Sequence, residues 1–242
     1  RDTMTDTHAP TPADHTIPVF AHWFGSWQIS VQRRTLSVPE LTRRYDKLAT
    51  DWHRTVDRLG FPAAYESLLR QVAGDETPST VLDCGVGTGT LSQALTRVLP
   101  TPFALTAVDV SPRMLEQAQN ALRGTNANVT LRQANASALP YDNNTFDMVM
   151  TAHILEHLAD PAVALSEMVR VLKPGGRLVV CVTRRTLLGM MIHLKWHTHR
   201  MTPDQARRFL QNAGLQSVER LTFDRVSWCQ RLSLACTGRK PL

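Results

Sequence analysis

Apolar and polar positions alternate along this chain in two regimes. From Pro18 onward, Phe20, Trp23, Phe24 and Trp27 recur at i, i+3, i+4 and i+7, one face of a helix whose first turn suits Pro18. Helical spacing continues from about Pro39 to Leu59 and from Pro62 to Val72, and Gly74-Asp75-Glu76-Thr77-Pro78 then breaks the chain. Beyond the break, short apolar runs at 80–84, 104–110, 129–133, 146–151 and 177–183 alternate with helical stretches near 91–98, 112–122 and 161–172. Strand and helix alternating at this spacing predict βαβ units and a doubly wound α/β fold with a parallel sheet. A helix over 203–212 is signed by Thr202 and Gln205 as a capping box, Pro203 at the first helical position and Gly214 past its end. Two β-rich runs, near 217–224 and 232–237, follow. Residues 1–38 read as an N-terminal arm with the aromatic helix, and 39–242 as a single domain.

Composition narrows the class without choosing a function. A chain of 242 residues with 43% apolar and 20% charged positions buries a sizeable core unaided, which excludes long disorder, collagen and coiled coil. Cys84, Cys181, Cys229 and Cys236 form no C-x-x-C pair and read as reduced thiols. No apolar stretch approaches the roughly 18 residues of a membrane span. No charged-then-apolar leader opens the chain either, so the expected location is cytoplasmic, if need be against the inner face of a membrane. A net charge of +6 favours acidic partners: anionic lipid surfaces, nucleic acid or acidic small molecules.

The segment Val81-Leu82-Asp83-Cys84-Gly85-Val86-Gly87-Thr88-Gly89 follows the first of these strands and opens a helix. Alternate glycines allow a sharp turn and close approach of a ligand to helix N–H groups. The spacing is G-x-G-x-G, with Thr90 standing where a dinucleotide fingerprint wants its third glycine. Asp109, at the end of the next strand, is placed to accept both hydroxyls of a ribose, as NAD and other adenosine cofactors alike require.

Five further segments accompany that turn: Val108-Asp109-Val110-Ser111-Pro112-Arg113-Met114-Leu115, Ala134-Asn135-Ala136-Ser137-Ala138-Leu139-Pro140-Tyr141, Phe146-Asp147-Met148-Val149-Met150, His153-Ile154-Leu155-Glu156-His157-Leu158 and Arg170-Val171-Leu172-Lys173-Pro174-Gly175-Gly176. In this order they resemble the class I S-adenosylmethionine-dependent methyltransferases, in particular the small-molecule and lipid branch that includes quinone and phospholipid methyltransferases. The resemblance implies a Rossmann-like sheet, mostly parallel with an antiparallel last strand, and S-adenosylmethionine as methyl donor. It implies that Asp83, Gly85, Gly87, Thr88 and Gly89 hold the methionine end. Asp109 would bind the ribose, Val110 and Met114 would pack near the adenine, and Ala136 and Thr151 would lie beside them. Asn135 stands where the family commonly has Asp; its amide oxygen can still accept from the adenine amino group, without the charge. Tyr45, in Arg44-Tyr45-Asp46-Lys47-Leu48-Ala49, matches a motif that closes over the cofactor, or is a helix aromatic on the core.

Two constellations invite other chemistry. His153-Ile154-Leu155-Glu156-His157 matches H-x-x-E-H, a zinc-peptidase helix pattern, but no third ligand stands at a recognised spacing, so no metal is expected. His153 and His157 are instead candidate base or orienter for the acceptor, against the bland reading of histidines bonded to a neighbouring loop. His193, His197 and His199, with Lys195 and Arg200, read as solvated basic residues around an amphipathic segment. That segment, 187–196, and the aromatic stripe suggest a hydrophobic lid or membrane contact in which Trp23, Trp27, Met191 and Trp196 meet the acceptor; packing against the sheet is the alternative. The chain reads Thr151-Ala152-His153-Ile154 where an Asn-Pro-Pro-Tyr would mark methylation of nucleic-acid bases, which disfavours nucleic acid. The expected function is methyl transfer to a small-molecule or lipid-like acceptor by in-line displacement. A catalytically silent cofactor-binding subunit or a basic membrane adaptor of the same fold is the alternative.

Overall fold

The computed structural model describes residues 16–24, 27–34, 37–73, 77–184, 201–223 and 229–242. Two strands come first, β1 (Thr16–Phe24) and β2 (Trp27–Arg34), paired antiparallel with Phe24 opposite Trp27. The aromatic segment is thus a hairpin and not the helix expected from its i, i+3, i+4, i+7 spacing. The period-3.6 match lost to stronger local signals. Ile17, Val19, Phe20, Ile29 and Val31 favour extended backbone, and Gly25-Ser26 is a two-residue hairpin pair by sequence.

Helices α1 (Val38–Arg58) and α2 (Phe61–Arg70) lead into alternating elements: β3 (Thr80–Cys84), α3 (Thr90–Val98), β4 (Phe103–Asp109), α4 (Pro112–Leu122), β5 (Ala127–Gln133) and β6 (Phe146–Ala152). A 3-10 turn at Leu155–His157 precedes α5 (Pro161–Val171) and β7 (Leu172–Thr183). The last elements are α6 (Pro203–Asn212), β8 (Gln216–Leu221), the short α7 (Cys229–Leu232) and β9 (Ser233–Arg239). Strands β3 to β9 form one seven-stranded sheet in the order β5-β4-β3-β6-β7-β9-β8. Pairings from β5 to β7 are parallel, and β9 runs antiparallel to both of its neighbours.

The central strands are buried on both faces and run nearly continuously apolar, and their alternation sorts side chains between two layers. The edge strands β5 and β8 keep exposed polar positions. Val81, Leu105, Met150, Val179 and Cys181 face one layer, with Leu68 of α2 and Leu95 of α3. Leu82, Val108, Val149, Val180 and Val182 face the other, with Leu165 and Met168 of α5 and Leu210 of α6. Truncating one fully buried Leu here to Ala costs about 2–5 kcal/mol. Helix starts carry the expected caps: Ser111 accepts from Met114 N, Asp160 from Ala162 N, and Thr202 with Gln205 closes a capping box. All four cysteines are free and buried. No helix among the described residues is long and apolar enough to cross a membrane.

Candidate active site

Strand order decides what meets at the carboxyl edge of the sheet, where an open α/β fold binds its ligands. The order reverses between β3 and β6, and a cavity of about 470 Å³ opens there. One half is walled by the turns after β3, β4 and β5; the other by the segments after β6 and β7, the start of β9, and α1 and α2.

The first half is made by local turns. Gly85, Gly87 and Gly89 all have positive φ, at 79°, 54° and 88°. A Cβ at Gly85 would collide with Ile154, whereas one at Gly87 would meet nothing within 4 Å, because that backbone faces open space. The Gly85 and Val86 N–H groups donate to Val108 O at 2.8 and 2.9 Å, anchoring the turn to the end of β4. Asp109 sits there with 9% exposure, its Oδ2 accepting from Gly87 N and its Oδ1 from Ser111 N, both at 2.9 Å. Burial raises the Asp109 pKa, while the backbone donors at Ser111, Gly87 and Val110 pull it back. Each oxygen keeps a further lone pair for a ribose hydroxyl. Asp83, buried beneath the turn, accepts from Ser92 Oγ at 2.6 Å; desolvation, with Asp109 nearby, pushes it up to about 7. Ser111 Oγ donates to Asp46 Oδ1 at 2.5 Å, which fastens α1 to the start of α4.

The sequence-predicted cofactor residues Tyr45, Asp83, Gly85, Gly87, Thr88, Asp109, Val110, Met114, Asn135 and Ala136 line this cavity together. Gly89 caps α3 from behind, with Ala118 Cα 3.2 Å from where its Cβ would stand. Thr151 does not line the cavity: it is buried, and its hydroxyl donates to Cys84 O at 2.8 Å, buttressing the glycine turn from below. The Asn135 amide oxygen accepts from Ser137 N at 3.0 Å, and its second lone pair is left for an adenine amino group. A cavity of this size, an open glycine backbone, two carboxylates and the apolar Val110 and Met114 fit an S-adenosyl group with its cationic end.

The second half is assembled from distant segments. His153 leaves β6 with φ of 59°, a left-handed conformation that His tolerates better than most residues, and its N–H donates to Cys181 O. Its Nδ1 lies 3.0 Å from Glu156 Oε1 and its Nε2 3.3 Å from Ser233 Oγ. Glu156 Oε1 also accepts from Thr183 N at 3.1 Å and from Thr183 Oγ1 at 2.5 Å. Thr183 and Ser233 are register partners where β7 meets β9. Burial alone would lower the His153 pKa, but the Glu156 charge and hydrogen bonds to Cys181 and Glu156 push it up to about 10. Burial raises Glu156, and the His153 charge and hydrogen bonds outweigh it and hold the carboxyl below the usual range. The pair is therefore imidazolium and carboxylate, which makes His153 a donor rather than a base. His157 also lines the cavity, edge-on to Tyr45 with ring centroids 5.7 Å apart. Val56, Leu59, Phe61, Ile154, Leu158 and Leu232 supply the apolar remainder. Among the described residues, no His, Cys, Asp or Glu group of three could hold a metal ion.

Sequence reasoning passed over Phe61, Tyr65, Thr183, Ser233 and the part played by Glu156. A polar residue closing a buried apolar strand, as Thr183 does after Val179-Val180-Cys181-Val182, is the signal that marks such a position. Of the expected acceptor contacts, Trp23 and Trp27 stand in the hairpin with side chains outside the described ones. Met191 and Trp196 lie outside the described residues, as do His193, Lys195, His197, His199 and Arg200.

Residues 82–180 match the methyltransferase domain family. The chain is 32% identical over 176 residues to the ubiquinone/menaquinone biosynthesis C-methyltransferase of Enterobacter sp. (strain 638), covering 61% of this chain and 70% of that protein. It is 34% identical over 144 residues to the demethylmenaquinone methyltransferase of Tropheryma whipplei (strain Twist), covering 59% of this chain and 58% of the relative. The chain thus spans between somewhat over half and 70% of these relatives' length. Magnesium protoporphyrin IX methyltransferase from Synechocystis PCC 6803, solved with bound S-adenosylhomocysteine, superposes with a TM-score of 0.63 over 84% of this chain and 100% of that one. At 17% identity that is a likeness of fold.

Proposed function

Because this chain belongs to the class I S-adenosylmethionine-dependent methyltransferases, we propose that it methylates a ring carbon of an apolar, quinone-type small molecule. The observation that carries the reading is the second cavity half, apolar except for one polar wall and continuous with the glycine turn. Val56, Leu59, Phe61 and Leu232 suit the flat face of an aromatic ring and exclude water from it.

When bound, S-adenosylmethionine supplies an electrophilic methyl group on a sulfonium, transferred by in-line displacement. The chain's own residues supply position. Asp109 accepts the ribose hydroxyls, Asp83 and the Gly87 backbone hold the amino-acid end, and Asn135 meets the adenine. Ile154, packed against Gly85, separates the two halves and sets how near the acceptor ring comes. A carbon nucleophile must be electron-rich, so the reduced, dihydroxy form of the quinone is the one expected to react. The ring carbon–methyl bond forms as the methyl–sulfur bond breaks, sulfur keeps the electron pair, and the ring C–H proton is then lost to solvent as aromaticity returns.

The test is turnover of demethylmenaquinol, kept reduced by dithionite, with S-adenosylmethionine. Ring-methylated product and S-adenosylhomocysteine in equal amounts are expected. Binding of S-adenosylhomocysteine without ring methylation, or methylation on oxygen or nitrogen instead, overturns the proposal.

A further inference from the structure

Three buried side-chain polar atoms find no hydrogen-bond partner among the described residues: Asn126 Oδ1, Tyr141 Oη and Glu156 Oε2. Asn126 and Tyr141 do not line the cavity; Glu156 does, with 1% of its surface exposed. Its carboxylate is served unequally. Oε1 faces the Thr183 N–H, the Thr183 hydroxyl and His153 Nδ1, while Oε2 faces none. On this wall His153 stands between Glu156 and Ser233 and Thr183 bonds to Glu156, while Tyr65 and His157 also line the chamber. A buried carboxylate oxygen with unused acceptor capacity, itself almost covered but on a residue that lines the chamber, can receive a donor from a ligand that reaches the wall.

We propose that Glu156 Oε2 is the specificity contact for the methyl acceptor, accepting a hydrogen bond from a hydroxyl on its aromatic ring. The assignment deepens the methyltransferase reading and rests on it. It defines the acceptor class as phenolic: a flat apolar body carrying O–H. A fully oxidised quinone or an O-methylated ring has only acceptor oxygens, which would face Glu156 oxygen to oxygen. A hydrogen bond from the ring hydroxyl to a carboxylate also leaves more electron density on the oxygen and its conjugated ring carbon, the atom a carbon methyltransferase needs activated. The low pKa of Glu156 keeps that oxygen an anionic acceptor at neutral pH. His153 and Thr183 act through Glu156, as positioning residues.

Binding of two probes to the full chain loaded with S-adenosylhomocysteine tests this without relying on turnover. The probes are 1-naphthol and 1-methoxynaphthalene, matched in apolar body and different in the donor. Calorimetry is expected to show 1-naphthol binding on the order of 10- to 100-fold more tightly. In Glu156→Gln the amide oxygen can keep the Thr183 contacts while its NH₂ takes the Oε2 position, so the preference should vanish or invert. Affinity for S-adenosylhomocysteine and the melting temperature of that variant serve as controls for folding. Equal binding of the two probes by the wild-type protein, no measurable binding of 1-naphthol, or a preference that survives in E156Q overturns the proposal. The wild-type ratio needs no variant and decides by itself if E156Q does not fold. If the ratio appears but demethylmenaquinol is not methylated, the quinone reading fails and the role of Glu156 stands.

Discussion

The two halves of the cavity are built by different means. In the cofactor half the bonds that hold the carboxylate join neighbouring turns: Asp109 reaches Ser111, two residues on, and Gly87, 22 residues back, across one strand pairing. The longer-range Ser111–Asp46 and Thr151–Cys84 bonds brace those turns from outside. In the acceptor half, His153 meets Ser233 across 80 residues and Glu156 meets Thr183 across 27, while Phe61 places its ring 5.7 Å from His153. The first half is a set of strand-to-helix turns whose backbone N–H groups fix the glycine turn and the Asp109 carboxylate. The second exists only after β7 and β9 have paired and α2 has docked. A group used without variation can be held by turns, whereas a chamber whose shape sets specificity is assembled from side chains of many elements.

Asp109→Ala should break the comparison most heavily. The variant removes the carboxylate from the ribose position and leaves Gly87 N and Ser111 N without their acceptor. With charge-assisted hydrogen bonds worth about 1.5–3 kcal/mol each, the loss of two predicts S-adenosylhomocysteine affinity reduced by roughly 100-fold or more in calorimetry. A loss below tenfold would show that Asp109 is not the ribose anchor and that the halves are wrongly divided.

The same division explains what could be read from the residues alone. Helices 112–122 and 203–212 and strand 80–84 match the structure residue for residue, because Pro112, Pro203 and the Thr202–Gln205 box punctuate them locally. Local turn signals are legible in the same way, and ten of the residues that the resemblance implies for the cofactor line one cavity. Thr151, which the resemblance places beside the adenine, is buried instead beneath the glycine turn with its hydroxyl on Cys84 O. Position 20–27 failed through its period, where four aromatics at helical spacing obscured a β-branched hairpin around Gly25-Ser26. Thr183 carries a local signal as the polar end of an apolar strand, but its pairing with Ser233 does not, since nothing within a window of sequence announces that β7 and β9 will bring two hydroxyls side by side.

Asp83 sharpens the contrast through pH. Its folded pKa of about 7 stands above an unfolded value of about 4, so the folded chain prefers the neutral carboxyl. Below the unfolded value this preference contributes nothing unfavourable; as pH rises from about 4 to about 7 the buried carboxyl destabilises the cofactor-free fold increasingly, and above 7 the penalty levels off. Asp83→Asn keeps an acceptor for Ser92 Oγ and removes the charge. The variant without cofactor should melt higher than wild type at pH 8, by roughly 5 °C or more, and the gap should narrow below pH 7 and close toward pH 4. A gap independent of pH would mean that Asp83 is charged and compensated in the free protein.

The smallest effect comes from Ser233→Ala, and it probes the acceptor half alone. Ser233 Oγ stands 3.3 Å from His153 Nε2, which as part of an imidazolium donates to it. The hydroxyl holds the ring that in turn orients Glu156, but it touches nothing in the glycine turn. A long bond of this kind contributes about 1 kcal/mol, so the melting temperature should drop by about 2–4 °C. Water entering the cavity can replace the lost partner of Nε2, which limits the harm to His153. Loss of orientation should reach Glu156 and lower kcat/KM for the acceptor several-fold, with the Kd for S-adenosylhomocysteine unchanged. Equal losses in cofactor affinity and in acceptor turnover would show that the two halves act as one unit. The long-range wall around Ser233 would then support the cofactor turn as much as the acceptor.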